Sequence, residues 1–324
     1  MHPDNVVSQL PVPLSVRGAQ VNGSVEILRL LAAWGIVWFH AGNTGRSIGY
    51  AGLPLFCVIM IALATNANSK GKTLATVVWR RAERLLVPWV IWSLLYAIAK
   101  VAEALVEHTA ISHEFSWWML STGPSLHLWF LPFAFFSTSA AYLLVQALGR
   151  RSGRVLFWAL VLTLPSLGYL SASIVSQGDL SIPFLQWCFA FPSVMLGMIV
   201  GIRGKRFDNA IIVGAILATA LLAFMGGFLS WSIPFAIGGL AAMIGWVFPL
   251  PAGNSVRFLG ELALPIYLIH PLIISLVSLT PIDQLAGDVQ GVVVVCFSTV
   301  YAIVHVCIGV LAGRAAFSTQ ATAG

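Results

Sequence analysis

A peptide backbone buried in hydrocarbon finds no water to bond, so an apolar run that crosses a bilayer must satisfy its own amides, and the helix is the open-chain way to do so. About ten runs of the required 17 to 25 residues recur here, near 26–45, 48–65, 86–106, 127–148, 155–176, 183–202, 209–227, 230–250, 259–279 and 290–312. Composition agrees: 59% of the 324 residues are hydrophobic and only 9% charged, where a soluble domain carries about a quarter. The expected fold is all-α, a polytopic membrane helix bundle of about ten transmembrane helices. The first residues are polar and include Pro3, Pro11 and Pro13. No apolar stretch of a cleavable signal precedes the first span, which is expected to direct insertion itself. The chain therefore divides into an N-terminal segment at 1–24, one membrane domain at 25–314 and a short tail at 315–324.

Charge sets the expected orientation. With the N-terminus in the cytoplasm, the ten-helix plan collects Arg17, Arg29, Lys70, Lys72, Arg80, Arg81, Arg84, Arg150, Arg151, Arg154, Arg203, Lys205, Arg206, Arg257 and Arg314 on one side. Of the 17 basic residues only Arg46 and Lys100 are left over. This is the positive-inside pattern, with both termini cytoplasmic. It accounts for the net charge of +6 without a nucleic-acid partner. The longest outer loop, His108 to Ser125, carries Trp117 and Trp118. Such residues suit an aromatic belt or a sugar ring equally well.

Ionisable groups inside apolar spans mark functional sites, because charge in hydrocarbon is costly unless it faces a bundle interior or a wet cavity. Arg29 and His40 both lie in the first run. Eleven residues on a helix bring two side chains to roughly 20° of the same face, with about 16 Å of rise between them. If Arg29 sits near one membrane surface, His40 is expected about halfway through the core. A neutral imidazole there can act as a general base, its ordinary pKa near 6.5 needing little tuning. His270, eleven residues inside the ninth run, is expected at a similar depth, with Glu261 and Tyr267 in the same run. His127 opens the fourth run on the outside, and His305 in the tenth reads as a packing residue.

Before the third run stands Arg80-Arg81-Ala-Glu-Arg84-Leu-Leu-Val-Pro88. Arg80, Arg81 and Arg84 fall on one helical face at spacings of three and four, with Pro88 expected to mark the bend into the span. Clustered guanidiniums suit phosphate, which they can grip with two parallel donors; anionic lipid headgroups are the competing partner. Cys57, Cys188, Cys296 and Cys307 all lie in apolar stretches without metal spacing and read as small core residues. No metal site is expected. The patterns GxxxxGK[ST], HExxH, GxSxG and CxxC are absent, so nucleotide hydrolysis, zinc proteolysis and an α/β-hydrolase triad have no sequence support.

Four segments together resemble the acyltransferase-3 family of integral membrane enzymes: Arg29 with His40 eleven residues on; Arg81-Ala-Glu-Arg84-Leu-Leu-Val-Pro88; His127-Leu-Trp129-Phe-Leu; and Gly260-Glu-Leu-Ala-Leu-Pro-Ile-Tyr267-Leu-Ile-His270-Pro271. The resemblance implies that acyl-CoA, most simply acetyl-CoA, binds from the cytoplasm with Arg80, Arg81 and Arg84 near its phosphates. It implies that His40 and Arg29 serve the transfer, and that His127, Trp129, Tyr267 and His270 meet the acceptor. The second helix departs from the family's Phe-Phe-x-x-Ser-Gly, reading Gly52-Leu-Pro-Leu-Phe-Cys57, and no role is carried over to it. The implied reaction is O-acylation of a carbohydrate hydroxyl on a surface or exported polysaccharide, or on its lipid-linked precursor, in the inner membrane. The acceptor is reached directly or through a separate extracytoplasmic transferase or polysaccharide-assembly partner. The competing expectation is a transporter or flippase, in which the same buried Arg and His bind an anionic solute or relay protons.

Overall fold

The computed structural model describes residues 22–66, 73–203, 207–284 and 287–322. Arg17, Lys70, Lys72, Lys205 and Arg206 lie outside the described residues, as do the side chains of Arg150, Arg151 and Arg314. So does all but the end of the segment expected over 1–24.

Among the described residues ten helices are long and apolar enough to cross a membrane: α1 (Gly23–Ala41), α2 (Arg46–Asn66), α3 (Leu74–Val106), α4 (Leu126–Leu148), α5 (Ser152–Gln177), α6 (Phe184–Ile202), α7 (Asp208–Met225), α8 (Leu229–Val247), α9 (Asn254–Ser278) and α10 (Gly287–Leu311). Among the described residues there is no strand, only an isolated bridge between Asn22 and Pro251. The expected spans are recovered to within a few residues, with two departures. The third begins at Leu74 rather than 86, because the Arg-rich segment forms the first turns of that same helix, capped by Thr73, whose Oγ1 accepts from Thr76 N at 3.3 Å. The helix continues through Pro88 instead of starting there. The last helix also continues, to Thr322, through the stretch expected as a tail.

Residues Phe130–Gln177 are helical throughout and contain both α4 and α5, yet they are not one straight rod. Phe133 rests its ring 5.9 Å from Trp187 at the start of α6, and Ser171 Oγ donates to Cys188 O at 2.6 Å in the same turn. Laid straight, 38 residues of helix would hold these two about 57 Å apart. The chain therefore doubles back between the two spans.

Successive spans thus alternate in direction, and the basic side chains gather at the end where α1 begins. Arg154 of α5 pairs with Asp208 of α7 at 2.7 Å, and Arg203 donates to Asn209 Oδ1 at 3.0 Å and Trp246 O at 3.3 Å. These contacts tie α5 to α7 and the end of α6 to α7 and α8. At the opposite end Lys100 pairs with Glu114 at 3.2 Å, so its charge is matched by the outer loop and does not enter the core. Trp117 in that loop is 71% exposed, as either sequence reading of the loop requires.

Between helices in lipid there is little hydrophobic driving force, so small residues that let backbones touch do much of the work. A Cβ on Gly35 of α1 would lie 2.7 Å from Gly49 O, and one on Gly49 would lie 2.7 Å from Gly35 O. The start of α2 is thereby pressed against α1, and a Cβ on Gly238 of α8 would meet Ala51 O at 2.7 Å from the other side. Of the cysteines, Cys57 lies in the core as expected, Cys188 is half-buried, and Cys296 and Cys307 are on the exposed face of α10. In a lipid-facing position a thiol has no packing role to fill.

Gly35→Leu should therefore prevent assembly, since overpacking costs about 1–3 kcal/mol even where side chains can yield and here the obstacle is backbone. Gly214→Ala, where an added Cβ meets nothing within 4 Å, should be neutral or stabilising by up to about 1 kcal/mol. Detergent size-exclusion profiles of fluorescent fusions check both; equal monodisperse peaks for Gly35→Leu and wild type would refute the seam.

Candidate active site

The α1 face carrying Arg29 and His40 supplies both ends of a polar strip. Arg29 lies six residues, about 9 Å, inside the start of α1, and His40 one residue before its end. Within α1, His40 therefore stands near the end of the helix and not at its middle. Because Arg29 is already a turn and a half inside the span, eleven more residues carry His40 to the far end.

At the basic end, Arg29 donates to Glu26 Oε2 at 2.7 Å across one helical turn. Arg84 of α3 lies within electrostatic range of both. The Glu26 carboxylate occupies the space a side chain would need at position 260, so Gly260 of α9 is its seat. Arg84 and Arg80 are exposed. Arg81 is differently engaged: its Nη1 donates to Thr138 O at 2.8 Å, its Nη2 to Ala64 O at 3.4 Å, and its guanidinium lies 4.7 Å over the Tyr142 ring. Of the three arginines expected together at phosphate, Arg81 instead clasps α2, α3 and α4.

At the far end three imidazoles meet. His40 and His270 face each other with ring centres 5.3 Å apart, and His270 and His127 with centres 5.2 Å apart. His127 is 7% exposed and His270 fully buried, whereas His40 is exposed. Two tyrosine hydroxyls hang the cluster together: Tyr267 of α9 donates to His127 O, and Tyr96 of α3 donates to Leu268 O of α9 at 2.8 Å. The Tyr96 ring stands edge-on to His127 at 5.2 Å. His127 sits in a 3-10 turn, Leu126–Trp129, that opens α4, its Nδ1 2.9 Å from Ser125 Oγ. Among the described residues no group of three or more His, Cys, Asp or Glu side chains is arranged to hold a metal ion.

The strip unites His40, His127, Tyr267 and His270 as expected. It separates Arg29 from His40 by about 16 Å of helix. Trp129, expected with the acceptor group, packs instead on Phe130 and Phe133 at 5.8 and 5.5 Å, because residue 129 points away from the side of the turn that presents 127. His305 is exposed and stacks on Tyr301 at 5.8 Å. An apolar groove of about 740 Å³ between α1, α2, α8 and α10 is lined on α1 by Leu28, Leu31, Ala32, Trp34, Gly35 and Trp38. These lie about 80° to 180° around the helix from His40, so the groove opens on the other side of α1 from the site.

Three contributors escape a reading of motifs. Glu26 is foreshadowed by its spacing of three from Arg29. Tyr96 has no such signal. Asp288 sits in the first turn of α10 and accepts from Asn43 N at 3.0 Å, Thr44 N at 2.8 Å and Thr44 Oγ1 at 2.7 Å. It ties down the turn that immediately follows His40. Arg46 Nε donates back to Phe39 O at 2.9 Å, closing the same turn.

A family model described as an acyltransferase domain matches residues 22–312, nearly the whole chain. The chain belongs to the acyltransferase-3 family. No curated protein and no solved structure matches it. Family membership makes the chain a multi-pass membrane acyltransferase, and the strip carries cations at one end and imidazoles at the other.

Asp288→Ala should loosen the turn after His40 while leaving the bundle assembled. The three contacts are exposed to solvent, so thermal unfolding in detergent should fall only slightly while amide exchange at 43–44 quickens. Asp288→Asn keeps an oxygen for both amides and should recover most of the loss. Wild-type exchange in the Ala variant would show that the carboxylate does not hold the turn.

Proposed function

We propose that this enzyme moves an acyl group, acetyl being the simplest, from cytoplasmic acyl-CoA to a carbohydrate hydroxyl of a surface or exported polysaccharide or its lipid-linked precursor, in the inner membrane. The observation that carries the reading is the separation of the two ends of the strip. The basic end, by the positive-inside rule, faces the cytoplasm. There Arg84 and Arg80, with Arg29 behind them, receive the phosphates of the donor. The thioester sits at the tip of a pantetheine arm of about twelve bonds, the reach of about four extended residues or ~14 Å. That is close to the ~16 Å of helix between Arg29 and His40. The arm thus delivers the acyl carbon to the exposed imidazole at the opposite end, where an extracytoplasmic acceptor can meet it.

His40 then serves as general base. The acceptor hydroxyl gives its proton to the imidazole as its oxygen attacks the thioester carbonyl; the carbon–sulfur bond breaks, and the proton returns to the departing thiolate. The products are an ester and free CoA. The site needs no second carboxylate for this, and the donor supplies the energy-rich bond. A separate extracytoplasmic partner would serve where the final acceptor is too large to reach His40. A transporter would use a buried Arg and His on one pathway, but membership of an acyltransferase family favours the enzyme.

His40→Ala should abolish acylation of the cell-surface glycan in a complemented deletion strain while expression stays normal, because removing one imidazole from a span makes insertion no harder. Wild-type acyl content from that variant would sink the assignment. For the donor, Arg84→Gln should weaken acyl-CoA binding about tenfold or more, the equivalent of about 1.4 kcal/mol, with a smaller effect on acyl-pantetheine, which lacks the nucleotide phosphates. Arg81→Gln should instead lower thermal stability with affinity nearly kept, since its donors hold Thr138 and Ala64. Titration calorimetry of the two variants separates the roles, and equal losses of affinity would return Arg81 to the phosphate site.

A further inference from the structure

In an α-helix the carbonyl of residue 267 accepts from the N–H of residue 271, and in α9 residue 271 is proline, which has none. His270 takes the place of that donor with its own ring: Nδ1 lies 2.7 Å from Tyr267 O. A carbonyl oxygen only accepts, so Nδ1 carries the hydrogen, and a neutral imidazole protonated there leaves Nε2 as a bare lone pair. That nitrogen is fully buried and has no hydrogen-bond partner.

An unpaired acceptor in such a place is costly and calls for a reason. The neighbouring imidazoles supply one. Each ring nitrogen lies about 1.1 Å from its ring centre, so two imidazoles joined by one N–H···N bond of about 2.9 Å have centres ~5 Å apart. His40 is 5.3 Å from His270 by that measure, and it is the exposed ring of the two. The two planes are inclined by 30°, and the bond would form when the exposed His40 side chain turns a ring nitrogen toward His270 Nε2. His127 is less suited to fix a direction of proton flow, since its Nδ1 faces Ser125 Oγ, a hydroxyl that can donate or accept. The titratable groups facing the pair are His127 of α4, Tyr96 of α3 and Tyr267 of α9 itself, with Arg46 of α2 acting on His40.

We propose that His270 is a positioning residue for His40, held as the Nδ1–H tautomer by Pro271 and the Tyr267 carbonyl, and that its bare Nε2 shares the proton His40 removes from the acceptor hydroxyl. This rests on His40 acting as the base. The steps balance: the hydroxyl proton goes to one nitrogen of His40, the hydrogen on the other nitrogen is drawn to His270 Nε2, and the same proton count returns to the thiolate when the carbon–sulfur bond has broken. Neither imidazole is consumed. The Tyr-x-x-His-Pro order is what makes this work, because it is proline at the position after the histidine that frees the carbonyl three residues before it.

The test uses the full chain in detergent or nanodiscs, labelled with ¹⁵N-histidine, and the variants His270→Asn and Pro271→Ala. Asparagine keeps an N–H where Nδ1 stood, so the contact to Tyr267 O survives, but it offers no basic nitrogen. The wild-type spectrum should contain an unprotonated Nε2 resonance that disappears in His270→Asn, which assigns it. The same variant should keep thermal stability and acyl-CoA affinity while its turnover falls by about 10²-fold or more, within the usual range for lost proton-transfer assistance. Pro271→Ala, which restores an N–H to the carbonyl, should show both tautomers and an intermediate turnover with unchanged KM for acyl-CoA. Turnover of His270→Asn within threefold of wild type, or an Nε2–H tautomer at His270 in the wild type, overturns the proposal. Should wild-type protein fail to transfer acyl groups from acyl-CoA, the reading of His40 fails instead, and the tautomer is still read directly from the spectrum.

Discussion

An ionisable side chain in hydrocarbon must find a partner or a wet surface, and the placement of the charged groups at the basic end of this bundle follows from that requirement. Arg29 is matched within its own helix by Glu26, one turn earlier. The pair is then wedged against α9 at Gly260, where no side chain intervenes. Arg154 and Asp208 do the same between α5 and α7. Once these demands are met at the basic end, His40, His127 and His270 are left to share the other, and each of the three comes from a different helix. The site is thus the place where α1, α4 and α9 resolve the same constraint together.

The cluster stays assembled through hydrogen bonds that cross between spans. Hydroxyl to carbonyl contacts from Tyr96 and Tyr267 connect α3 to α9 and α9 to α4. The Asp288 carboxylate fixes the turn beyond His40 from α10. Such contacts between transmembrane helices are individually modest, about 0.6 to 2 kcal/mol in measured cases. Their value here is geometric, because they hold one accessible imidazole against a buried one. The peripheral helices α3 and α10 are the least enclosed of the spans, yet each reaches the site with one polar side chain, Tyr96 or Asp288.

Much of this was legible in the sequence where periodicity speaks. The ten spans and the shared face of Arg29 and His40 follow from run length and a spacing of eleven, and the same arithmetic places His270 near the imidazole of α1. The end of α1 was signalled as well, by the polar turn Gly42-Asn43-Thr44-Gly45 that follows Ala41, but not that Asp288 closes this turn from α10. Arg80, Arg81 and Arg84 look alike in sequence. Only tertiary contact distinguishes Arg81, whose face of α3 meets Thr138 of α4. Trp129 and His127 likewise share a motif, but two residues apart in a 3-10 turn they meet different neighbours, Phe130 and Phe133 for one and His270 for the other. Tyr96 lies in an unremarkable apolar stretch and becomes visible only when α9 is set beside it.

The central claim is that the thioester of a donor anchored at the basic end arrives at His40. Bromoacetyl-CoA carries an alkylating carbon at the position of the acyl group and reacts with whichever nucleophile lies beside it. Peptide mass spectrometry of the protein treated at a concentration near the acyl-CoA affinity should find the adduct on His40, with protection by free CoA and a marked reduction in Arg84→Gln. Alkylation confined to side chains at the basic end, or an adduct on His40 that CoA does not prevent, would contradict the account.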